Sequence, residues 1–160
     1  MRRAIVGTAL ATGLTGFVAG AASWYLFSPL LFDEVVAEAA PVSDRLTEVA
    51  SGTFRDADSA HKGTGTASIL RAGDRHVLRL TEFEVTNGPD LEVWLVRAPS
   101  IASSSDVKAS EWVSLGQLKG NVGDQNYDLP PGTDPAAYPS VVIWCEQFGV
   151  LFSAADLTGS

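Results

Sequence analysis

The chain has 160 residues, 46% of them hydrophobic and 19% charged, and its formal net charge is −8. That length suits one domain of ordinary size with an added segment, and that apolar content excludes a disordered chain. The single cysteine excludes an intrachain disulfide.

In chain order, the first element is an apolar run. Residues 4–32, "AIVGTALATGLTGFVAGAASWYLFSPLLF", contain no charged side chain. About 20 apolar residues suffice for a helix to cross a bilayer, so this run is expected to be one N-terminal transmembrane helix. Arg2 and Arg3 precede it and Asp33 and Glu34 follow it. Cationic flanks stay cytoplasmic, which places the N-terminus inside and the rest of the chain outside the cell membrane, as a single-pass protein. Trp24 and Tyr25 fall where an outer aromatic belt would sit. The rival reading is a cleaved signal peptide, with "VAGAAS" as the cleavage region. Cleavage there would leave "SWYLFSPLLF" as an exposed apolar terminus, so the uncleaved anchor is expected.

Residues 33–49, "DEVVAEAAPVSDRLTEV", read as a polar stalk lifting the domain off the membrane. A short helix through Val35, Val36 and Ala39 is expected there, ended by Pro41. All 19 acidic residues lie beyond position 32, with nine of the 11 basic ones. So acidic a domain does not suit nucleic acid, and no nucleic-acid partner is expected.

From residue 50 to 160 the pattern is that of strands. "TGTASILR" and "HVLRLTEF" flank "AGD", a hairpin reading, with Leu78 and Leu80 on one face and Arg79 and Thr81 on the other. "TNGPD" is a turn, and "LEVWLVRA" is a strand with Leu91, Val93 and Leu95 on one face. "PSIASSSDVKAS" reads as a polar loop, and one or two strands follow around "KGNVGD". "VVIWCEQ" and "VLFSAADL" form a closing hairpin around Phe148 and Gly149. Such spacing predicts an all-β fold, an antiparallel β-sandwich of about seven or eight strands behind the transmembrane helix.

Catalytic chemistry is sparse. Two histidines, His61 in a polar loop and His76 at a strand start, lie in no nucleophile motif and read as structural or solvated imidazoles. Asp56 and Asp58 alternate like a fragment of a calcium loop but lack its full ligand set, so a turn is expected. No metal site and no cofactor is expected, because ligands with suitable spacing are missing. Cys145 is the residue left. Alternation puts Val141, Ile143, Cys145 and Gln147 on one face of its strand and Val142, Trp144, Glu146 and Phe148 on the other. A free cysteine often serves as a small buried hydrophobe. Outside the cell, however, an accessible thiol is a liability unless it is used. Core residue and redox group both remain open at this point.

Four segments together resemble a known family: "SGTFRDADSAHKGTGTASIL", "VLRLTEFEVTNGPDLEVWLV", "LGQLKGNVGDQNYDLP" and "YPSVVIWCEQFGVLFSAADL". They cover about residues 50–157 and resemble the electron-transfer DM-thirteen domain, found in Skeletor-type animal proteins and in membrane-anchored bacterial ones. The resemblance implies a β-sandwich and a redox role for the matching cysteine, Cys145. In multidomain relatives the module accompanies DOMON and cytochrome b-type domains, which implies electron transfer with a partner supplying the second redox centre. Trp144, Phe148 and Tyr127 are then the expected neighbours of Cys145, and a redox or other envelope protein is the expected partner, besides the membrane that the N-terminal helix enters. The other matched positions read as fold determinants. Gly88 and Pro89 suit a tight turn with Asp90 bonding backbone amides, Phe83 and Trp94 suit a core, and Tyr127 suits a buried ring with its hydroxyl on a backbone partner. The alternative function is a non-catalytic surface module that binds a protein or an envelope glycan, with Cys145 in the core.

Overall fold

The computed structural model describes residues 16–18, 20–21, 23–24, 32–43 and 46–159. The chain divides into two compact units, residues 1–32 and 33–160. Most of the expected membrane span lies outside the described residues. Those described between 16 and 24 are helical, and among the described residues no helix is long and apolar enough to cross a membrane.

The second unit is an all-β sandwich. Its strands are β1 (Val35–Ala37), β2 (Leu46–Thr53), β3 (Arg55–Asp56), β4 (Gly63–Ala72), β5 (Arg75–Val85), β6 (Leu91–Val96), β7 (Trp112–Gln117), β8 (Val122–Asp128), β9 (Ser140–Cys145), β10 (Val150–Asp156) and β11 (Thr158–Gly159). One short helix, α1 (Ser104–Lys108), joins β6 to β7. A six-stranded sheet runs β1-β8-β5-β4-β2-β11, and a five-stranded sheet runs β3-β10-β9-β6-β7. Eight strands have six residues or more, and β1, β3 and β11 are edge pieces of two or three. Every pairing is antiparallel except β1 with β8.

The main core lies between the sheets. It takes Ile69, Leu78, Leu80 and Phe83 from the larger sheet and Leu91, Val93, Leu95, Val141, Ile143 and Phe152 from the smaller. Burying such a side chain stabilises by roughly 1.5–3 kcal/mol relative to leaving it in water. Strict alternation would not put both Leu80 and Phe83 inside. A bulge reconciles them: Glu82 has φ +50°, and the register to β4 slips between Thr64 and Thr66. Gly65, opposite, has φ +101°, and a Cβ there would press on the Glu82 carbonyl and Phe83 Cα.

A second core forms on the outer face of the five-stranded sheet. Trp94, Val96, Val142, Trp144, Leu151 and Ala154 are covered there by Ile101 and Val107. The covering segment is the one expected to be a polar loop. It contains α1, started by a capping box in which Ser103 Oγ accepts from the Asp106 N–H and Asp106 Oδ2 accepts from the Ser103 N–H at 2.8 Å. Ile101 and Val107 are almost fully buried, so the polar residues around them conceal a lid on the sheet.

The segment expected as a spacer also differs. Residues 35–37 form a strand and not a short helix. The Val122 N–H donates to the Glu34 carbonyl at 3.2 Å, and the Glu38 N–H to the Asp124 carbonyl at 2.9 Å. The Glu38 carboxylate takes the Asn126 N–H at 2.7 Å and Lys119 Nζ at 2.8 Å. The approach is close because Gly120 and Gly123 carry no side chain; a Cβ at either would collide with the carbonyl of Glu34 or Val36. Backbone pairing of two valines on an open sheet edge outweighs the weak helical preference of so short a piece.

Candidate functional site around Cys145

Cys145 ends β9, opposite Leu91 on β6 and Val150 on β10. Its residue exposure is 0%, and it belongs to the main core. The thiol donates to the Pro89 carbonyl at 3.1 Å. The turn over it, residues 146–149, is closed by the Gly149 N–H donating to the Cys145 carbonyl at 2.8 Å, and it is tied to the Pro89 side by the Glu146 N–H donating to the Asp90 carbonyl at 3.0 Å. Gly149 has φ +62°, which a side chain there would disfavour.

Burial pushes the Cys145 thiol above its ordinary value of 9.0. The backbone N–H groups of Phe148 and Gln147 oppose that shift by favouring the thiolate, while Asp90 and Glu146 add to it through their negative charge. The resting group is therefore a neutral thiol, closed off from solvent.

The expected neighbours separate. Phe148 sits on the covering turn and is 64% exposed, and its backbone N–H favours the thiolate. Tyr127 lies in the same core as Cys145, with its hydroxyl accepting from the Lys119 N–H at 3.0 Å and donating to Gln125 Oε1 at 2.7 Å. Trp144 faces away into the outer core. The Asp90 carboxylate, expected on backbone amides, instead takes the Gln117 side-chain amide at 2.7 Å. Phe83 lies in the main core as expected, and Trp94 in the outer one.

The histidines and the acidic loop are accounted for locally. Asp58 accepts from the backbone N–H groups of Ala60 and His61 and pairs with His61 Nδ1 at 2.8 Å. The His61 bond, followed by those two amides, holds the Asp58 carboxyl down at about 2. The His61 ring rests on Phe152, with centroids 4.3 Å apart. Asp56 binds Lys62 Nζ at 2.9 Å and the Gly63 N–H at 3.1 Å. An open cleft of about 440 Å³ includes Asp56, Lys62 and Glu84 in its wall, and Cys145 does not line it. Among the described residues no three His, Cys, Asp or Glu side chains gather to hold a metal ion.

One cluster escaped sequence reasoning. Trp112 and Trp94 stack with centroids 3.8 Å apart and planes 11° apart, and Trp144 follows 5.3 Å from Trp94. The signal was present in the strand phase. "LEVWLV" and "VVIWC" both put a tryptophan on the face opposite the core residues, and neighbouring strands bring such residues together.

The sandwich, the thiol and the strand order can be set beside known proteins. A family model described as electron transfer DM13 matches residues 53–157. The chain belongs to this family. No curated protein and no solved structure matches it. The DM13 region runs from the end of β2 through β10, so it contains Cys145, Tyr127 and the three clustered tryptophans, while β1 and nearly all of β2 precede it.

Proposed function

We propose that this DM13 protein is a membrane-anchored, extracytoplasmic redox accessory whose working group is Cys145, in the manner of the bacterial membrane-anchored members. The observation that carries the reading is the family match across residues 53–157, which includes the chain's one cysteine. The uncharged run of residues 4–32, basic before and acidic after, supports the anchor and the outward placement.

The chemistry open to a single thiol is exchange with a disulfide of an exported partner. The 146–149 turn lifts, and the uncovered Cys145 loses its proton to solvent. Sulfur then attacks the partner disulfide. One S–S bond breaks as a mixed disulfide forms, and the second partner sulfur leaves as a thiolate that solvent protonates. The cover sets the rate, since the attacking species is the thiolate and the resting group is neither charged nor accessible.

A second reading is a non-catalytic surface module that binds an envelope protein or glycan, with Cys145 as a core residue. It is favoured by the 0% exposure of Cys145 and by the upward push on its thiol. The two readings separate on the full-length chain treated with a thiol reagent across pH, native against denatured, beside the Cys145→Ser variant. Native labelling faster than global unfolding, together with loss of partner reduction in Cys145→Ser, supports the redox reading. Labelling only on global unfolding moves the assignment to the binding module.

A further inference from the structure

We infer that the stacked pair Trp94–Trp112, with Glu92 as proton acceptor, is a one-electron oxidation site that a high-potential oxidant reaches at the exposed side of Trp112. The inference rests on the electron-transfer reading of the family and not on Cys145.

Three observations single out this pair. The first is the stack itself. Rings 3.8 Å apart and 11° from parallel share a missing electron better than one ring holds it, and Trp112 is 47% exposed while Trp94 is 3% exposed. The second is a proton route. Trp94 Nε1–H donates to Glu92 Oε2 at 2.8 Å. An indole that loses an electron becomes a far stronger acid, comparable to a carboxylic acid, and a carboxylate already bonded to its N–H takes the proton without rearrangement. The Ser114 hydroxyl donates to the same oxygen at 2.6 Å and fixes the carboxylate. A bulge between Glu92 and Trp94 in the pairing with β7 helps set this geometry. The third is the charge around the remaining ring. Lys108 Nζ lies 5.8 Å from the Trp144 centroid. A cation over an indole face opposes a positive charge in that ring, so Trp144 holds the hole less well than Trp94.

The step balances as one electron and one proton. The oxidant, a ferryl haem or another high-potential metal centre, gains one electron from the stacked pair. The N–H proton crosses to Glu92 Oε2. A neutral indolyl radical remains on Trp94 beside a protonated Glu92. One electron from an ascorbate-class donor, with return of the same proton, restores the resting pair. No bond between heavy atoms forms or breaks.

Flash oxidation of the full-length chain by photo-oxidised ruthenium tris-bipyridine tests the assignment. Transient absorption distinguishes the neutral indolyl radical from its protonated cation. Wild type and Trp24→Phe are expected to give the neutral radical at equal rates. Glu92→Gln, which keeps shape and an acceptor oxygen but is a weak base, is expected to show the cation and to react more slowly by about tenfold, the scale of one lost charge-assisted hydrogen bond. Trp112→Phe, at a half-exposed position, is expected to slow the bimolecular step. Wild-type rates and the same radical in both Glu92→Gln and Trp112→Phe would overturn the inference, as would loss of the signal in Trp24→Phe. Cys145→Ser is expected to leave the radical unchanged, so failure of the thiol reading and failure of this one register in different assays.

Discussion

Cys145 and Trp144 are adjacent in sequence and lie on opposite faces of one sheet. The thiol points into the main core and the indole into the outer one. Strand geometry enforces the division, because successive side chains alternate. The two cores therefore offer separate handles on the molecule.

The thiol has a pH signature. Its folded value is raised above 9.0 by burial. The unfolded chain then releases the proton first as pH rises. This contribution to stability is complete below the unfolded value and lost as pH climbs through the folded one. Urea unfolding of the full-length chain should show stability falling on the alkaline side, and Cys145→Ala should remove that part of the slope. An identical alkaline slope in the variant would mean that the thiol is not the group responsible.

Asp58 behaves in the opposite sense. Its folded value is about 2 against an ordinary 3.8, so its contribution is present above 3.8 and disappears as pH falls toward 2. Carbon-detected NMR titration should place this carboxyl at about 2, below its ordinary 3.8. His61→Ala should move it back toward 3.8, because the His61 side chain is the largest single cause of the shift.

The larger part of this sandwich could be read from the chain. Leu78, Leu80, Leu91, Val93, Leu95, Val141 and Ile143 alternate with residues of the opposite face, and that period-two spacing leaves a direct trace in sequence. Three features left weaker traces. The bulge at Glu82 shifts strand phase by one residue, which only the glycine opposite hints at. Ile101 and Val107 bury themselves through tertiary contact, whereas their serine-rich surroundings follow local turn rules. Val35 to Ala37 is too short for any periodicity to register. As for the site, the position of Cys145 on a core-facing phase and the turn beside it were legible; the Pro89 carbonyl that takes the thiol lies 56 residues away in sequence. The tryptophan stack needed strand order, which alternation does not supply.

The Tyr127 hydroxyl joins two buried or half-buried partners, the Lys119 N–H and Gln125 Oε1, and Gln125 itself is 0% exposed. Tyr127→Phe removes the donor to Gln125 and the acceptor for Lys119 in one change. A loss of about 1–3 kcal/mol is expected, the cost of leaving such groups unsatisfied. Urea unfolding at neutral pH measures it, and a loss near zero would show that water replaces the hydroxyl.

Gly123 has φ +103° and faces the Val36 carbonyl across the β1–β8 pair. Gly123→Ala combines backbone strain with a collision, and about 1–3 kcal/mol of destabilisation is expected. Hydrogen exchange should show the Glu38 N–H losing protection first, while β4 and β5 keep theirs. Uniform loss of protection would mean that β1 does not open independently.

The β1 strand separates two definitions of this domain. The family pattern begins at residue 53, but the first hydrogen-bonded strand begins at Val35. A chain cut to the family boundary would lose β1 and nearly all of β2, baring one edge of β8 and one edge of β4 at once. Bare edges recruit other chains. The family pattern is thus shorter than the hydrogen-bonded sandwich, and the difference is a pair of edge guards whose removal would leave open strand edges as a template for aggregation.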